Sequence, residues 1–144
     1  MPKREKVKNE LLNMDKIREN IFLGNAEDVA EEKLKENGIT TVLNVAYEIN
    51  DPQRDYTEIK QVKVGLGDAM DNSPVMRDLA VSVLKTLVFN QEKVLVHCAV
   101  GASRSAYVVV KAIAEIEGKT NSEVLDEVRA IRPIVIYGPL FANF

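Results

Sequence analysis

Apolar and polar positions divide the chain into short buried strands alternating with amphipathic helices. Asn20 to Leu23 reads as a short strand ending at Gly24. Asn25 follows as a helix N-cap with Asp28 favouring the positive helix end, and Val29 and Leu34 lie on a helix that runs to Lys35 and stops at Gly38. Ile39 to Val45 is β-branched and apolar nearly throughout, as expected of a strand covered on both faces. Tyr47 to Tyr56 is polar, contains Asp51-Pro52 and reads as a loop, and Ile59 to Val64 alternates as a further strand. A second loop collects Gly65, Gly67, Asp68, Asp71, Asn72 and Ser73.

Ser73-Pro74 places a capping side chain before a proline at the first helical position. Behind it Val75, Met76, Leu79, Val83, Leu84, Leu87 and Val88 recur at the spacing of one buried helical stripe. Lys93 to His97 is a short buried strand. It leads through Cys98 and Gly101 into a helix from about Ala106 to Glu117 that is apolar on most faces, with Gly118 as its stop. Thr120 and Glu123 form a capping box for a last helix that reaches about Ile131 and is halted by Pro133. Strands interleaved with helices in this order predict a single α/β domain: a largely parallel mixed sheet of about four to five strands, flanked by helices.

Composition narrows the function classes. The 144 residues suffice for one domain with a substantial core, and 46% hydrophobic with 28% charged residues is ordinary for a globular protein. No apolar run approaches the length of a membrane span, and the Met-Pro-Lys-Arg-Glu-Lys-Val-Lys opening has no apolar region behind it, so a secretory signal is not supported. A formal net charge of −3 argues against a general nucleic-acid binder, and Lys3, Arg4, Lys6 and Lys8 read as a solvated end. The single cysteine excludes an internal disulfide, nearly excludes a Cys-based metal site, and fits the reducing cytoplasm.

A lone cysteine is by frequency a buried apolar filler. Its neighbours argue otherwise. Cys98 to Arg104 (Cys-Ala-Val-Gly-Ala-Ser-Arg) joins a buried strand to a helix, where open α/β sheets bind ligands. A helix N-terminus offers unpaired N–H groups and partial positive charge to an anion. Gly101 lets the backbone curl so that N–H groups of Ala99, Val100, Gly101, Ala102 and Ser103 could face inward, and Arg104 could grip two phosphate oxygens. The same field favours the thiolate, the nucleophilic form. The loop is therefore read as phosphate-binding.

His97-Cys98-Ala-Val-Gly101-Ala-Ser-Arg104-Ser105 matches the His-Cys-x5-Arg-Ser/Thr signature of the protein tyrosine phosphatase superfamily, and Ser103-Arg104-Ser105 resembles its dual-specificity branch. Ile21-Phe-Leu-Gly24-Asn25-Ala, Gly38-Ile-Thr-Thr-Val-Leu-Asn44-Val and Val128-Arg-Ala-Ile-Arg132-Pro133 are similar to family landmarks in family order, so the resemblance covers roughly residues 17 to 133. It implies a metal-free and cofactor-free phosphatase in which Cys98 attacks phosphorus, Arg104 holds the equatorial oxygens, an aspartic acid protonates the leaving oxygen and then activates water, and Ser105 assists the departing thiolate. His97 takes a supporting role in the loop and in the low thiol pKa. Ser103 either contacts phosphate or starts the helix, and the two readings weigh evenly.

Family placement favours Asp68, 30 residues before Cys98, as the acid. Its competitor Asp71 has a bland alternative as part of a helix cap, and Asp68 itself could be an ordinary turn residue. Many relatives brace the phosphate loop with an asparagine beyond the Arg-Pro pair, and Tyr137 stands near that place here. The loop adds no lysine at Ala99, Val100, Ala102 or Ser103, so phosphoprotein, phosphotyrosine first, is expected ahead of phosphoinositide. The resulting expectation is a monomeric cytoplasmic phosphoprotein phosphatase with no nucleic-acid or membrane partner, residues 1–16 a basic, helical extension and residues 17–144 the catalytic domain. Rival readings are a phosphoprotein-binding pseudophosphatase, a phosphatase of non-protein phosphomonoesters and an arsenate reductase, the last disfavoured by the absence of resolving cysteines.

Overall fold

The computed structural model describes residues 13–51, 58–67 and 73–135. Strands β1 (Asp15–Arg18), β2 (Ile21–Gly24), β3 (Thr41–Ala46), β4 (Lys60–Leu66) and β5 (Val94–His97) form one sheet in the order β1-β2-β5-β3-β4. The β1–β2 pair is antiparallel and the other pairs are parallel, as the mixed, largely parallel prediction requires. Strand β1 is an addition to the expected order. Its Asp-Lys-Ile-Arg sequence buries only Ile17, so period-2 patterning could not reveal it, and it crosses the expected boundary between residues 16 and 17.

Helices α1 (Glu31–Glu36), α2 (Pro74–Phe89), α3 (Arg104–Glu117) and α4 (Asn121–Ile131) cover the sheet. The expected helix from Asn25 to Lys35 is in fact two pieces. Residues Ala26–Asp28 form a 3-10 turn, and extended backbone at Ala30 separates it from α1. This break lets Val29 enter the cluster of Phe22, Leu34, Val42 and Leu95. Asn25 and Asp28 exchange a complete capping box, whereas at α4 only the Thr120 half is made.

Parallel register stacks the strands in rows: Ile21, Val94 and Thr41; Phe22, Leu95 and Val42; Leu23, Val96 and Leu43; then Gly24, His97 and Asn44 at the carboxyl rim. Alternate rows feed the two faces. Phe22, Val42 and Leu95 pack beneath α1, while Leu23, Leu43, Val94 and Val96 meet the larger core with α2, α3 and α4. Ten of the 14 residues of α3 are buried, confirming it as the central helix. Each of its fully buried valines, Val108, Val109 and Val110, contributes about 1.5–3 kcal/mol relative to exposure. The result is a rigid strand and a rigid helix meeting at residues 98–103. Among the described residues no helix is long and apolar enough to cross a membrane.

Candidate active site

The turn between β5 and α3 is held by its carbonyl groups. Cys98 O lies 3.0 Å from His97 Nδ1, Ala99 O accepts from the Ala26 N–H at 3.2 Å, Val100 O accepts from Arg132 Nη2 at 3.1 Å, and Gly101 O accepts from Arg132 Nε at 2.9 Å. In a trans peptide, C=O of one residue and N–H of the next point in opposite directions. Anchoring these carbonyls to the scaffold therefore turns the N–H groups of Ala99, Val100, Gly101 and Ala102 to the other side. Gly101 is required for this curl. Its φ is +76°, and a Cβ there would collide with the Gly24 carbonyl and lie 2.9 Å from Arg132 Nη2.

Arg132 is the chief brace, a part that the sequence reading did not assign to it. Its side chain is wholly buried, and Nη1 donates to Asp15 Oδ2 at 2.8 Å and to the Asn13 carbonyl at 2.7 Å. The guanidinium thus ties the end of α4, the start of β1 and the loop into one unit. A buried cation left to itself would be prohibitive, and here a carboxylate and three carbonyls compensate it. Replacing Arg132 by methionine is expected to lower unfolding free energy by about 3–5 kcal/mol, because Asp15 and the loop carbonyls lose their donors. Urea denaturation measures this, and a loss below 1 kcal/mol would contradict the bracing role.

Cys98 is 3% exposed, with Sγ 3.2 Å from Ser105 Oγ. Burial pushes the thiol pKa up, but the hydroxyl and N–H of Ser105, the N–H of Gly101 and the charge of Arg104 outweigh it, so the thiol lies below its ordinary value. Arg104 opens α3 and is itself buried. Its Nη1 donates to Glu48 Oε1 at 2.6 Å and to the Leu66 carbonyl at 2.9 Å, and Nη2 donates to Glu48 Oε2 at 2.7 Å. The hydrogen bond from Arg104, with Coulombic attraction behind it, lowers the Glu48 pKa to about 2. Glu48 therefore stays paired from neutral pH well into acid. What stability the pair contributes is present above the ordinary carboxylate range and fades as pH falls towards about 2. Half of the Glu48 side chain is exposed, so solvent screening keeps that contribution small.

The loop after β3 is the second unexpected part. It appeared in the sequence as a polar connection, yet Glu48 reaches Arg104 and Asp51 reaches His97 Nε2 at 3.0 Å. Asn44 Nδ2 donates to the Ile49 carbonyl, and Lys63 Nζ donates to the Tyr47 and Ile49 carbonyls and to Asn50 Oδ1. Gly65 accommodates Tyr47 against β4, where a Cβ would meet Tyr47 Cα at 3.0 Å. No one-dimensional signal distinguished these carboxylates, because their partners lie 56 and 46 residues away.

Of the expected site residues, the structure brings together His97, Cys98, Gly101, Arg104 and Ser105, with Ala99, Val100 and Ala102 presenting backbone. Ser103 is the N-cap position of α3, but its side chain makes no capping hydrogen bond. Asp68, Asp71 and Tyr137 lie outside the described residues.

This fold and loop have known counterparts. Residues 21–143 match the family described as dual specificity phosphatase, catalytic domain, and the chain belongs to that family. It is 28% identical over 131 residues to mouse dual specificity protein phosphatase 15, covering 89% of this chain and 54% of that protein. It is 32% identical over 133 residues to human dual specificity protein phosphatase 13B, covering 86% of this chain and 67% of the relative. The chain thus spans between about half and two thirds of the length of these relatives. The crystal structure of human DUSP28 superposes with a TM-score of 0.76 at 21% identity, covering 90% of this chain and 88% of that one, which establishes the shared fold.

Proposed function

We propose that this protein hydrolyses phosphomonoesters on proteins through a phosphocysteine at Cys98. The observation that carries the reading is the set of scaffold-anchored carbonyls at residues 98–101, which turns successive N–H groups to the side opposite the anchors, in a loop whose thiol has a lowered pKa. Such a cradle suits a tetrahedral dianion, and membership in the dual-specificity phosphatase family supports the same reading.

In the first step the Cys98 thiolate attacks phosphorus, the P–O ester bond breaks, and the leaving oxygen takes a proton from Asp68. In the second, water gives its proton back to Asp68 and attacks phosphorus, breaking the P–S bond and releasing inorganic phosphate. Ser105 Oγ, 3.2 Å from Sγ, donates to the sulfur as its charge returns. Arg104 has its Nη1 committed to Glu48 and Leu66, which fixes the plane in which the guanidinium meets the equatorial oxygens. Residues 17–144 make up the catalytic unit, to which β1 adds Asp15 and Lys16. With no basic side chain in the loop beyond Arg104, the substrate class is phosphotyrosine first and phosphoserine or phosphothreonine second, ahead of phosphoinositides.

The test is turnover of p-nitrophenyl phosphate and a phosphotyrosine peptide, with acid quenching to trap the phosphoenzyme. Wild type should accumulate a phosphocysteine, and Asp68→Asn should lose about a hundredfold in kcat while Asp71→Asn loses little. The reverse order would reassign the acid. Tight peptide binding without any turnover would establish a phosphoprotein-binding module in place of an enzyme.

A further inference from the structure

The contact between Asp51 and His97 asks for more than a structural explanation. His97 is wholly buried, and both ring nitrogens meet acceptors: Nδ1 the carbonyl of Cys98 and Nε2 the carboxylate Oδ2 of Asp51, each at 3.0 Å. A carbonyl cannot donate, so Nδ1 carries a proton. A carboxylate cannot donate either, so against the carboxylate form of Asp51 Nε2 carries one as well. The ring is then an imidazolium, its positive charge beside Cys98 and the compensating negative charge on the far side. Burial alone would push the imidazole pKa down, but Asp51 and the Cys98 carbonyl more than reverse this and raise it above its ordinary value.

A neutral amide or backbone carbonyl would orient the ring equally well. Asp51 instead buries a carboxylate that is 10% exposed and whose Oδ1 has no hydrogen-bond partner among the described residues. Burying a carboxylate costs more than burying a neutral amide, so an orienting role alone does not account for it. The carboxylate supplies what an amide cannot, namely charge.

We propose that Asp51 is a positioning residue for the nucleophile, acting through His97. It holds the ring with Nδ1–H on the Cys98 carbonyl and keeps the ring cationic, so that a positive end faces the thiolate. The inference rests on Cys98 being the nucleophile. Other charges surround the pair: Lys63 on β4, beside the Asp51 loop; Asp28 with Lys33, against Gly24 on the β2 side; and Arg104 with Glu48 on the α3 side. None of them is within hydrogen-bond reach of the imidazole, whose polar contacts among the described residues are Asp51 and Cys98.

His97 is the only histidine, so its imidazole can be observed without assignment. In protein labelled with 15N-histidine, both ring nitrogens of wild type should be protonated at pH 7, and Asp51→Asn should convert the ring to its neutral form. The rate of Cys98 alkylation by iodoacetamide, followed against pH, should show a wild-type midpoint below the ordinary thiol value of about 8.5. In Asp51→Asn that midpoint should rise by roughly half a unit, the modest size expected when an overall neutral ion pair is replaced by a neutral pair. Asp51→Glu should restore most of the shift. In a His97→Gln background Asp51→Asn should add nothing, because the effect passes through the ring.

A neutral imidazole in wild type at pH 7 overturns the proposal, and needs no variant to fold. An unchanged midpoint in Asp51→Asn, or a shift that persists without His97, overturns it as well. A wild-type midpoint at the ordinary thiol value would instead remove the nucleophile reading on which the proposal stands.

Discussion

Replacing Cys98 by serine should lower turnover of p-nitrophenyl phosphate by at least about ten-thousandfold, the scale seen when a covalent nucleophile is removed. The hydroxyl would have the same position and the same neighbour in Ser105. It would not ionise, because the surroundings that bring a thiol below its ordinary value act on a group whose intrinsic pKa is far higher. The cradle should survive, since the anchored carbonyls are backbone groups of residues 98–101 and the groups that hold them come from His97, Ala26 and Arg132. Binding of a phosphotyrosine peptide, measured by calorimetry, is therefore expected to stay within about tenfold of wild type, as loss of a group acting in chemistry rather than in binding implies. Turnover within tenfold of wild type would sink covalent catalysis by Cys98. Ionisation also sets a direction in pH: kcat/KM should climb as the thiol deprotonates and level off below the ordinary thiol range.

The second large effect belongs to Arg104→Lys, expected to reduce kcat/KM by about a thousandfold even though the charge is kept, a loss comparable with removing a key transition-state donor. The arginine is 2% exposed and ties Glu48 and the Leu66 carbonyl while opening α3. An ammonium group is a point charge without the planar fork, so it cannot meet Glu48 at two oxygens and present a second edge to phosphate. The Glu48 carboxyl, held at about 2 by the arginine, should move back towards the ordinary carboxylate range in the variant. Carbon-13 NMR of the labelled glutamate would read that movement alongside the kinetics. A lysine variant with near-normal kcat/KM would mean that charge alone suffices and that the fork is dispensable.

Much of this was legible in the sequence, for identifiable physical reasons. Buried parallel strands are apolar throughout, so β3 and β5 stood out, and the Ser73-Pro74 start and the Gly118 stop marked helix ends through local chemistry. The strand–loop–helix context of Cys98 identified the loop because its chemistry is contiguous in the chain. The parts that were not legible act at a distance. Arg132 reaches Gly101 and Val100 across 31 and 32 residues, and its family motif said nothing of the carbonyls it would hold. Glu48 and Asp51 lie in a polar loop whose composition was that of any solvated connection, and the Asn44 and Lys63 contacts that help turn it towards the rim leave no local signal. Strand β1 escaped because an antiparallel edge strand with one buried side chain carries almost no hydrophobic period. The break at Val29 and Ala30 escaped because a good cap at Asn25 was read as the start of a longer helix.

A loop fastened from behind by its carbonyls divides the labour of recognition. On the proposed mechanism the transferred group is met by main-chain N–H groups and by Arg104, so Ala99, Val100 and Ala102 would carry no side-chain obligation towards it. Val100 is 59% exposed even though its carbonyl is one of the anchored groups. Such positions are open to retuning for neighbouring parts of a substrate while the reaction itself stays untouched, and Gly101 alone among these loop residues has no such freedom. A change of clientele in this architecture is therefore a change of surface lettering, made without redesigning the machine.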